Sequence, residues 1–251
     1  MKVEIVWYDN AAFRLVTGKE TFWFDPSVNK NADSPIRVED IREPANFVFT
    51  THGDPGHFAN SVEVARKTGA QFVGNQELCD FILQKGQLSK DRVIPLQFGE
   101  TRKIGDLDVY LFEAEHPELS TPVSEMIAQW GVVHTRNGGL VVRKKEFTLC
   151  ILGDCIHTDV FREVGQKFPI DIGMIPIQGK KHAASAPEDA AENGARIVRD
   201  LKVKFLFPVI QYSKEKVRID PLRRRLKEMG LDTRLIFDRP GTVHTLTEFQ
   251  R

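Results

Sequence analysis

The chain of 251 residues has only three cysteines, Cys79, Cys150 and Cys155, and they show no paired spacing. That excludes a disulfide framework and any cysteine-based zinc module. It has no excess of charge, with 35 Lys+Arg against 35 Asp+Glu. A dedicated nucleic-acid binder would carry a basic block, and a solvating disordered module an acidic one. No apolar run reaches the roughly 18 residues that a membrane span needs. The opening Met1-Lys2-Val3-Glu4-Ile5 has no basic-then-apolar leader pattern. Internal repeats, low-complexity tracts and Pro/Gly/Ser linkers are also missing, so the reading is a single domain over residues 1–251. These absences make the cytoplasm the expected compartment and a membrane or nucleic-acid partner unexpected. The high charge with few Met and Cys would also suit a thermophile.

What is present is ordinary globular material, 41% hydrophobic and 28% charged. The first part reads as short strands at Val3–Trp7, Ala11–Val16, Thr21–Phe24 and Asn46–Thr50, with turn signals at Asp9-Asn10 and Gly18-Lys19. Helices are expected at Ser61–Thr68 and Gln76–Gln84, around a short strand starting at Phe72-Val73. Further strands are read at Arg92–Leu96, Glu100–Lys103, Leu107–Glu113, Gly139–Arg143 and Phe147–Leu152, the last two forming a hairpin around Lys144-Lys145-Glu146. Then helices at Thr158–Gln166, Pro187–Asp200 and Pro221–Met229 alternate with strands at Ile170–Ile175, Phe205–Val209 and Arg234–Phe237. Asp220 is the expected N-cap of the last helix, with Pro221 in its first turn. Strands dominate both halves with helices threaded between them. The expected architecture is an αββα sandwich, two mixed sheets face to face with helices outside.

The chemistry-bearing residues fall just past the carboxyl ends of strands. His52, Asp54 and His57 follow the strand at 46–50, His116 follows that at 107–113, and Asp154 follows that at 147–152. Gln211 and Tyr212 follow the strand at 205–209. Residues at one sheet edge can converge from distant segments while their backbones stay rigid. Three imidazoles and two carboxylates make a credible metal cage. A lone strand-end His or a Gly-Asp turn would be unremarkable, but two imidazoles and a carboxylate within His52-Gly53-Asp54-Pro55-Gly56-His57 are harder to dismiss.

Several segments, in order, resemble the metallo-β-lactamase-fold hydrolases. Phe22-Trp23-Phe24-Asp25-Pro26 is similar to that family's early strand ending in Asp-Pro. Thr50-Thr51-His52-Gly53-Asp54-Pro55-Gly56-His57 resembles its Thr-His-x-His-x-Asp-His signature. His116 stands where its third motif has a His, and Leu152-Gly153-Asp154-Cys155 resembles its Gly-Asp-Thr motif. Pro176-Ile177-Gln178-Gly179, Ala186-Pro187-Glu188-Asp189-Ala190 and Arg239-Pro240-Gly241-Thr242 are similar to stretches of the lactonase-like branch that includes ascorbate-6-phosphate lactonase. The resemblance implies metal-dependent hydrolysis, with His52, Asp54, His116 and Asp154 as ligands of a first ion. His57 and Asp154 would be ligands of a second.

The departures matter as much. This chain has Asp54 where the signature has its second His, and Gly56 where it has Asp. The last metal His of the family falls at or near Gln211, a much poorer ligand. Asp9-Asn10 stands where the branch often has Gly-His. A second ion would therefore keep too few strong ligands to be held tightly. The expectation is one divalent transition metal per chain, Zn or Mn first and Fe or Ni as alternatives, drawing on His52, Asp54, His57, His116 and Asp154. Such an ion activates water for attack on a lactone, ester or phosphodiester of a small, anionic substrate. With the family's water-orienting Asp absent, His57 is the first choice of proton acceptor, with Asp154 or Asp54 behind it.

Lys181 and His182, on the loop after the strand at 170–175, and Gln211, Tyr212 and His157 are candidates to contact substrate. Lys180 and Lys181 could instead belong to a solvated loop, and the segment lacks the spacing of a phosphate-binding P-loop. His134 and His244 read as structural or exposed, and Cys155 as a small buried residue beside Asp154. Arg223, Arg224, Arg225 and Lys227 read as a solvated basic helix face rather than an RNA grip. Two other readings stay open: a nuclease or phosphodiesterase, and a regulatory protein that keeps the fold and has lost catalysis. A homo-oligomer is possible, but no segment identifies an interface.

Overall fold

The computed structural model describes residues 2–118, 136–181, 185–210, 218–247 and 249. Two seven-stranded sheets form the centre. The first contains β1 (Val3–Trp7), β2 (Phe13–Thr17), β3 (Glu20–Phe24), β4 (Phe47–Phe49), β5 (Gln71–Asn75) and β6 (Val93–Leu96), and β14 (Val243–Leu246) pairs with β1 at its edge. The second contains β7 (Thr101–Ile104), β8 (Leu107–Glu113), β9 (Gly138–Lys144), β10 (Phe147–Leu152), β11 (Ile172–Pro176), β12 (Phe205–Val209) and β13 (Arg234–Leu235), in spatial order 13-12-11-10-9-8-7.

Each sheet is half antiparallel and half parallel. The strands β1, β2 and β3 are joined by tight turns and pair antiparallel, as do β7 to β10. Beyond them β3 to β6 and β10 to β13 run parallel. Parallel neighbours need a crossover, and most of these crossovers supply helices. Helices α1 (Pro55–Phe58), α2 (Ser61–Thr68) and α3 (Gln76–Gln84) serve the first sheet. Helices α4 (Val160–Lys167), α5 (Pro187–Leu201) and α6 (Ile219–Glu228) serve the second.

Strand residues alternate between two apolar layers. Val3, Ile5, Trp7, Phe22 and Phe24 join the main core, which spans both sheets and the helices of the second. Their neighbours Val6, Tyr8 and Trp23 pack on the other face with Val64, Leu78 and Ile82 of α2 and α3. This is the period-2 geometry of a strand buried on both faces. Phe13 of β2 meets Phe207 of β12 edge-on at 6.2 Å, a direct contact between the sheets. The fold is the expected αββα sandwich.

Three local differences have physical reasons. Helix α6 starts at Ile219, so Asp220 lies inside the first turn, where its carboxylate accepts from Arg223 Nη1 at 3.0 Å instead of capping. Pro221 fits there because first-turn N–H groups have no intrahelical partner. The segment after β4 is not a plain turn. It forms the one-turn helix α1 with Pro55 in its first turn, and the Asp54 side chain does not cap it. Strand β13 ends at Leu235, two residues short of the expected end.

Candidate metal centre

The polar groups at the carboxyl ends of β3, β4, β8 and β10 meet at one edge of the sandwich. His52, Asp54, His116 and Asp154 each offer a ligand atom, and those atoms lie within 4.8 Å of one another. His52 Nε2 is 3.5 Å from Asp54 Oδ2, and His116 Nε2 is 3.4 Å from the same oxygen. His116 Nε2 is 4.0 Å from Asp154 Oδ2. These separations are long for hydrogen bonds. Ligand atoms sharing a tetrahedral ion at about 2.1 Å stand about 3.4 Å apart, so the spacing fits donors arranged round a cation.

The imidazoles are aimed by their other nitrogens. His116 Nδ1 lies 2.7 Å from Pro117 O, which can only accept, so Nδ1 carries the proton. Thr51 Oγ1 donates to Asp25 Oδ2 at 2.8 Å and can therefore accept from His52 Nδ1 at 3.0 Å. His57 Nδ1 sits 2.8 Å from Asp25 Oδ2. Each ring is thus turned so that Nε2 faces the centre, the orienting device of metal-ligating histidines. Asp25 organises two of them, and Thr51 N also donates to its Oδ1 at 2.8 Å. The carboxylate of Asp25 is fully buried on a backbone with φ +42°.

Burial and neighbouring charges compete in setting the charge states. It lowers the His52 pKa, reinforced by neighbouring His57. Burial would raise Asp54, but His52 and His116 overcome it and hold the carboxylate well below its usual range. His57 is also desolvated, yet the Asp154 and Asp25 carboxylates outweigh burial and lift its pKa to about 10. A divalent ion in the cluster would counter those two carboxylates and draw it down again. The donor set of two imidazoles and two carboxylates suits such an ion.

The backbone round Asp154 is tightly fitted. A Cβ on Gly153 would stand 2.2 Å from Asn137 Oδ1 and 2.8 Å from His52 Nδ1, so only glycine lets the β10 end approach His52. Asn137 Nδ2 donates to Asp154 O at 2.6 Å and to Ala114 O at 3.0 Å. Ile156 N donates to Glu115 O at 3.0 Å, tying the His116 segment to the Asp154 segment.

Residues 4–210 match the family described as beta-lactamase superfamily domain. The chain belongs to the metallo-β-lactamase superfamily. It is 27% identical to a UPF0173 metal-dependent hydrolase of Hyperthermus butylicus, over 95% of this chain and 97% of that one. Its fold is similar to that of Igni18, a metallo hydrolase from Ignicoccus hospitalis, with TM-score 0.78, 18% identity and full coverage of both chains. It is also similar to CmlA, a diiron β-hydroxylase from Streptomyces venezuelae, with TM-score 0.66 and 14% identity, over 97% of this chain and 54% of that one. Superfamily membership alone therefore fixes neither the metal nor the reaction.

Within this superfamily fold the remaining candidates separate. His57 lies beside the four-residue group, its Nε2 3.4 Å from Asp154 Oδ1 and its ring 4.2 Å from that of His52. His157 was a candidate to contact substrate. Its Nε2 instead meets Asp200 Oδ2 of α5 at 2.7 Å, and it is not brought to the cluster. Its backbone N is fixed by Asn193 Oδ1 at 2.7 Å, which turns the side chain toward that helix. Lys181 is exposed, on the loop whose Lys180 O accepts from Glu118 N at 3.1 Å. His182, Gln211, Tyr212 and His134 lie outside the described residues. Cys155 is fully buried, burial with Asp154 beside it holds its thiol well above the usual range, and it is not among the four converging ligand residues. The basic face of α6 is ion-paired: Arg223 with Asp220, Arg224 with Glu188, and Arg225 with Glu192 and Glu228.

Sequence reasoning had assigned no role to Asp25, Asn137, Gln178 or Asn193. Asp25 and Gln178 follow strand ends, a signal shared with the candidate ligands. Asn137 precedes β9 and Asn193 sits mid-helix, and nothing local marks either. No helix among the described residues is long and apolar enough to cross a membrane.

Proposed function

We propose that the protein is a hydrolase that uses one divalent metal ion held by His52, Asp54, His116 and Asp154. The observation that carries this reading is the convergence of those four ligand atoms, with both imidazoles aimed by acceptors behind them. Such an ion supplies a water of lowered pKa and polarises a carbonyl or phosphoryl oxygen. The two carboxylates balance its charge, and their oxygens admit Zn or Mn, with Fe or Ni as alternatives.

The chain's own groups do the rest. His57 accepts the proton at Nε2, beside Asp154, and Asp25 behind Nδ1 stabilises the resulting imidazolium. His52 and His57 lie at the closed side of the site, while His116 and Asp154 keep slight exposure. Next to His116 is a cavity of about 520 Å³ lined by Glu115, Arg136, Asn137 and Thr158. We assign it to a small substrate with a lactone, ester or phosphodiester bond. Arg136 borders the cavity already paired with Glu113, so Lys181, His182, Gln211 and Tyr212 are the candidates to contact an anionic group. The lactonase-like branch is the nearest analogy for this chemistry. The names of the Hyperthermus and Ignicoccus proteins support the reaction class.

The test is elemental analysis of protein purified without chelator or nickel, followed by assays on lactones, esters and phosphodiesters with the metal found. About one ion per chain and turnover abolished by His52→Ala are expected. A chain that binds metal but hydrolyses none of these classes would instead be the non-catalytic relative that the loss of a carboxylate at Gly56 allows.

A further inference from the structure

We propose that Gln178 is a positioning residue that caps the outer oxygen of Asp154, and that with Asn10 it closes this site to a second metal ion. The inference rests on the metal-site reading above and concerns how this chain's residues limit that site.

Asp154 presents two different oxygens. Its Oδ2 faces His116 Nε2 and the four-residue group. Its Oδ1 faces His57 Nε2 at 3.4 Å and, from the other element, Gln178 Nε2 at 3.3 Å. The orientation of the Gln178 amide is set by Cys155 N, which donates to its Oε1 at 2.8 Å. Gln178 is buried and rigidly braced. Asn193 Nδ2 donates to its carbonyl at 2.7 Å, and Arg218 Nη1 donates to the carbonyl of Ile177 at 3.0 Å. An amide N–H aimed at Asp154 Oδ1 places the positive end of a dipole where a second cation would need that oxygen.

Asn10 crowds position 56. A Cβ on Gly56 would lie 3.1 Å from Asn10 Nδ2, so the Asn10 amide would have to shift to admit a side chain at 56. Asn10 Nδ2 and Ser27 Oγ both donate to Gly56 O, at 3.2 and 2.6 Å. Asn10 is itself fixed, with its N bonded to Ile210 O at 2.9 Å and its O accepting from Trp7 Nε1 at 2.8 Å. Among the described residues, no second group of three His, Cys, Asp or Glu side chains is assembled. One hydrogen-bond donor, Gln178 Nε2, thus meets Asp154 Oδ1, and another, Asn10 Nδ2, stands where a side chain at position 56 would extend.

The experiment titrates metal-stripped full-length protein with Co(II). Visible absorption reads the coordination, and equilibrium dialysis counts ions bound. Circular dichroism checks that each variant is folded. Wild type should saturate at about one equivalent. Gln178→Met, which keeps the length but loses the donor, should bind Co(II) about 10- to 100-fold more weakly with an altered absorption spectrum. Asn10→Gly combined with Gly56→Asp should stay at one equivalent while Gln178 is present, and adding Gln178→Met to that pair should allow a second. Two equivalents in wild type or in the double variant, affinity within twofold in Gln178→Met, or a triple variant that stays at one equivalent each overturns the proposal and leaves the hydrolase reading standing. If Gln178→Met does not fold, the wild-type and double-variant stoichiometries decide. No Co(II) bound by wild type overturns both.

Discussion

Two buried histidine–aspartate clusters in this chain behave in opposite ways. His157 and Asp200 touch at 2.7 Å, and Arg199 Nε completes the carboxylate at 2.7 Å. His52, His116 and Asp54 have the same chemistry but stand 3.4 and 3.5 Å apart. The first cluster is closed: its donors and acceptors satisfy one another and tie α5 to the β10–α4 segment. The second is held open by groups behind it, Thr51, Asp25 and Pro117 O, that prevent the rings from collapsing onto the carboxylates. Burying polar groups without close mutual pairing is costly. Four ligand atoms within 4.8 Å of one another could hold a cation, whereas the close contact of His157 with Asp200 makes a staple.

Breaking the open cluster should have the largest effect. His52→Ala is expected to lower metal occupancy and turnover by more than about a thousandfold, since removing one of few strong ligands defeats the site; elemental analysis and a hydrolysis assay read this. Asp25→Ala acts one step back. It releases Thr51 and His57 and is expected to weaken metal affinity about 10- to 100-fold, read by competition with a chromogenic chelator. Unchanged affinity would show that the rings are held by packing alone.

The closed cluster predicts a different signature. Asp200→Asn should cost about 1–3 kcal/mol of stability, read by urea unfolding, and leave metal affinity within twofold. Burial would raise the Asp200 pKa, but Arg199 and His157 overcome this and lower it. A carboxyl whose folded pKa is depressed contributes stability that is present above its unfolded pKa, about 3.9, and is lost as pH falls through the folded value. Wild type should therefore lose stability in that acid window, and Asp200→Asn should lose less there. The smallest effect belongs to Arg223→Ala, which removes an exposed ion pair and should change stability by about 0–1 kcal/mol. A larger loss would show that the α6 basic face does more than stay solvated.

Much of the frame was legible because its signal is local. Val3–Trp7, Leu107–Glu113, Phe147–Leu152 and Phe205–Val209 read as strands and are strands with those bounds. The candidate ligands were legible because they follow such strands. His157 also follows one, three residues beyond Asp154, yet it turns to α5. Its direction depends on Asn193 and Asp200, 36 and 43 residues further along the chain. The Asp220 cap failed for a nearer reason, since a proline can sit deeper in the first turn than its usual place.

By itself the sequence determined the alternation of strands and helices, the placing of His52, Asp54, His116 and Asp154 beyond strand ends, and the missing carboxylate at Gly56. Those follow from side-chain period and from residue identity, which need no partner. Only the tertiary structure decided which nitrogen each imidazole presents, that Asp25 stands behind two of the rings, and that the Gln178 amide meets Asp154 Oδ1 while the Asn10 amide crowds Gly56. Hydrogen bonds of this kind join residues brought together only when the strands pair and the sheets pack, and the step from 2.7 Å to 3.4 Å separates the staple from the open cluster.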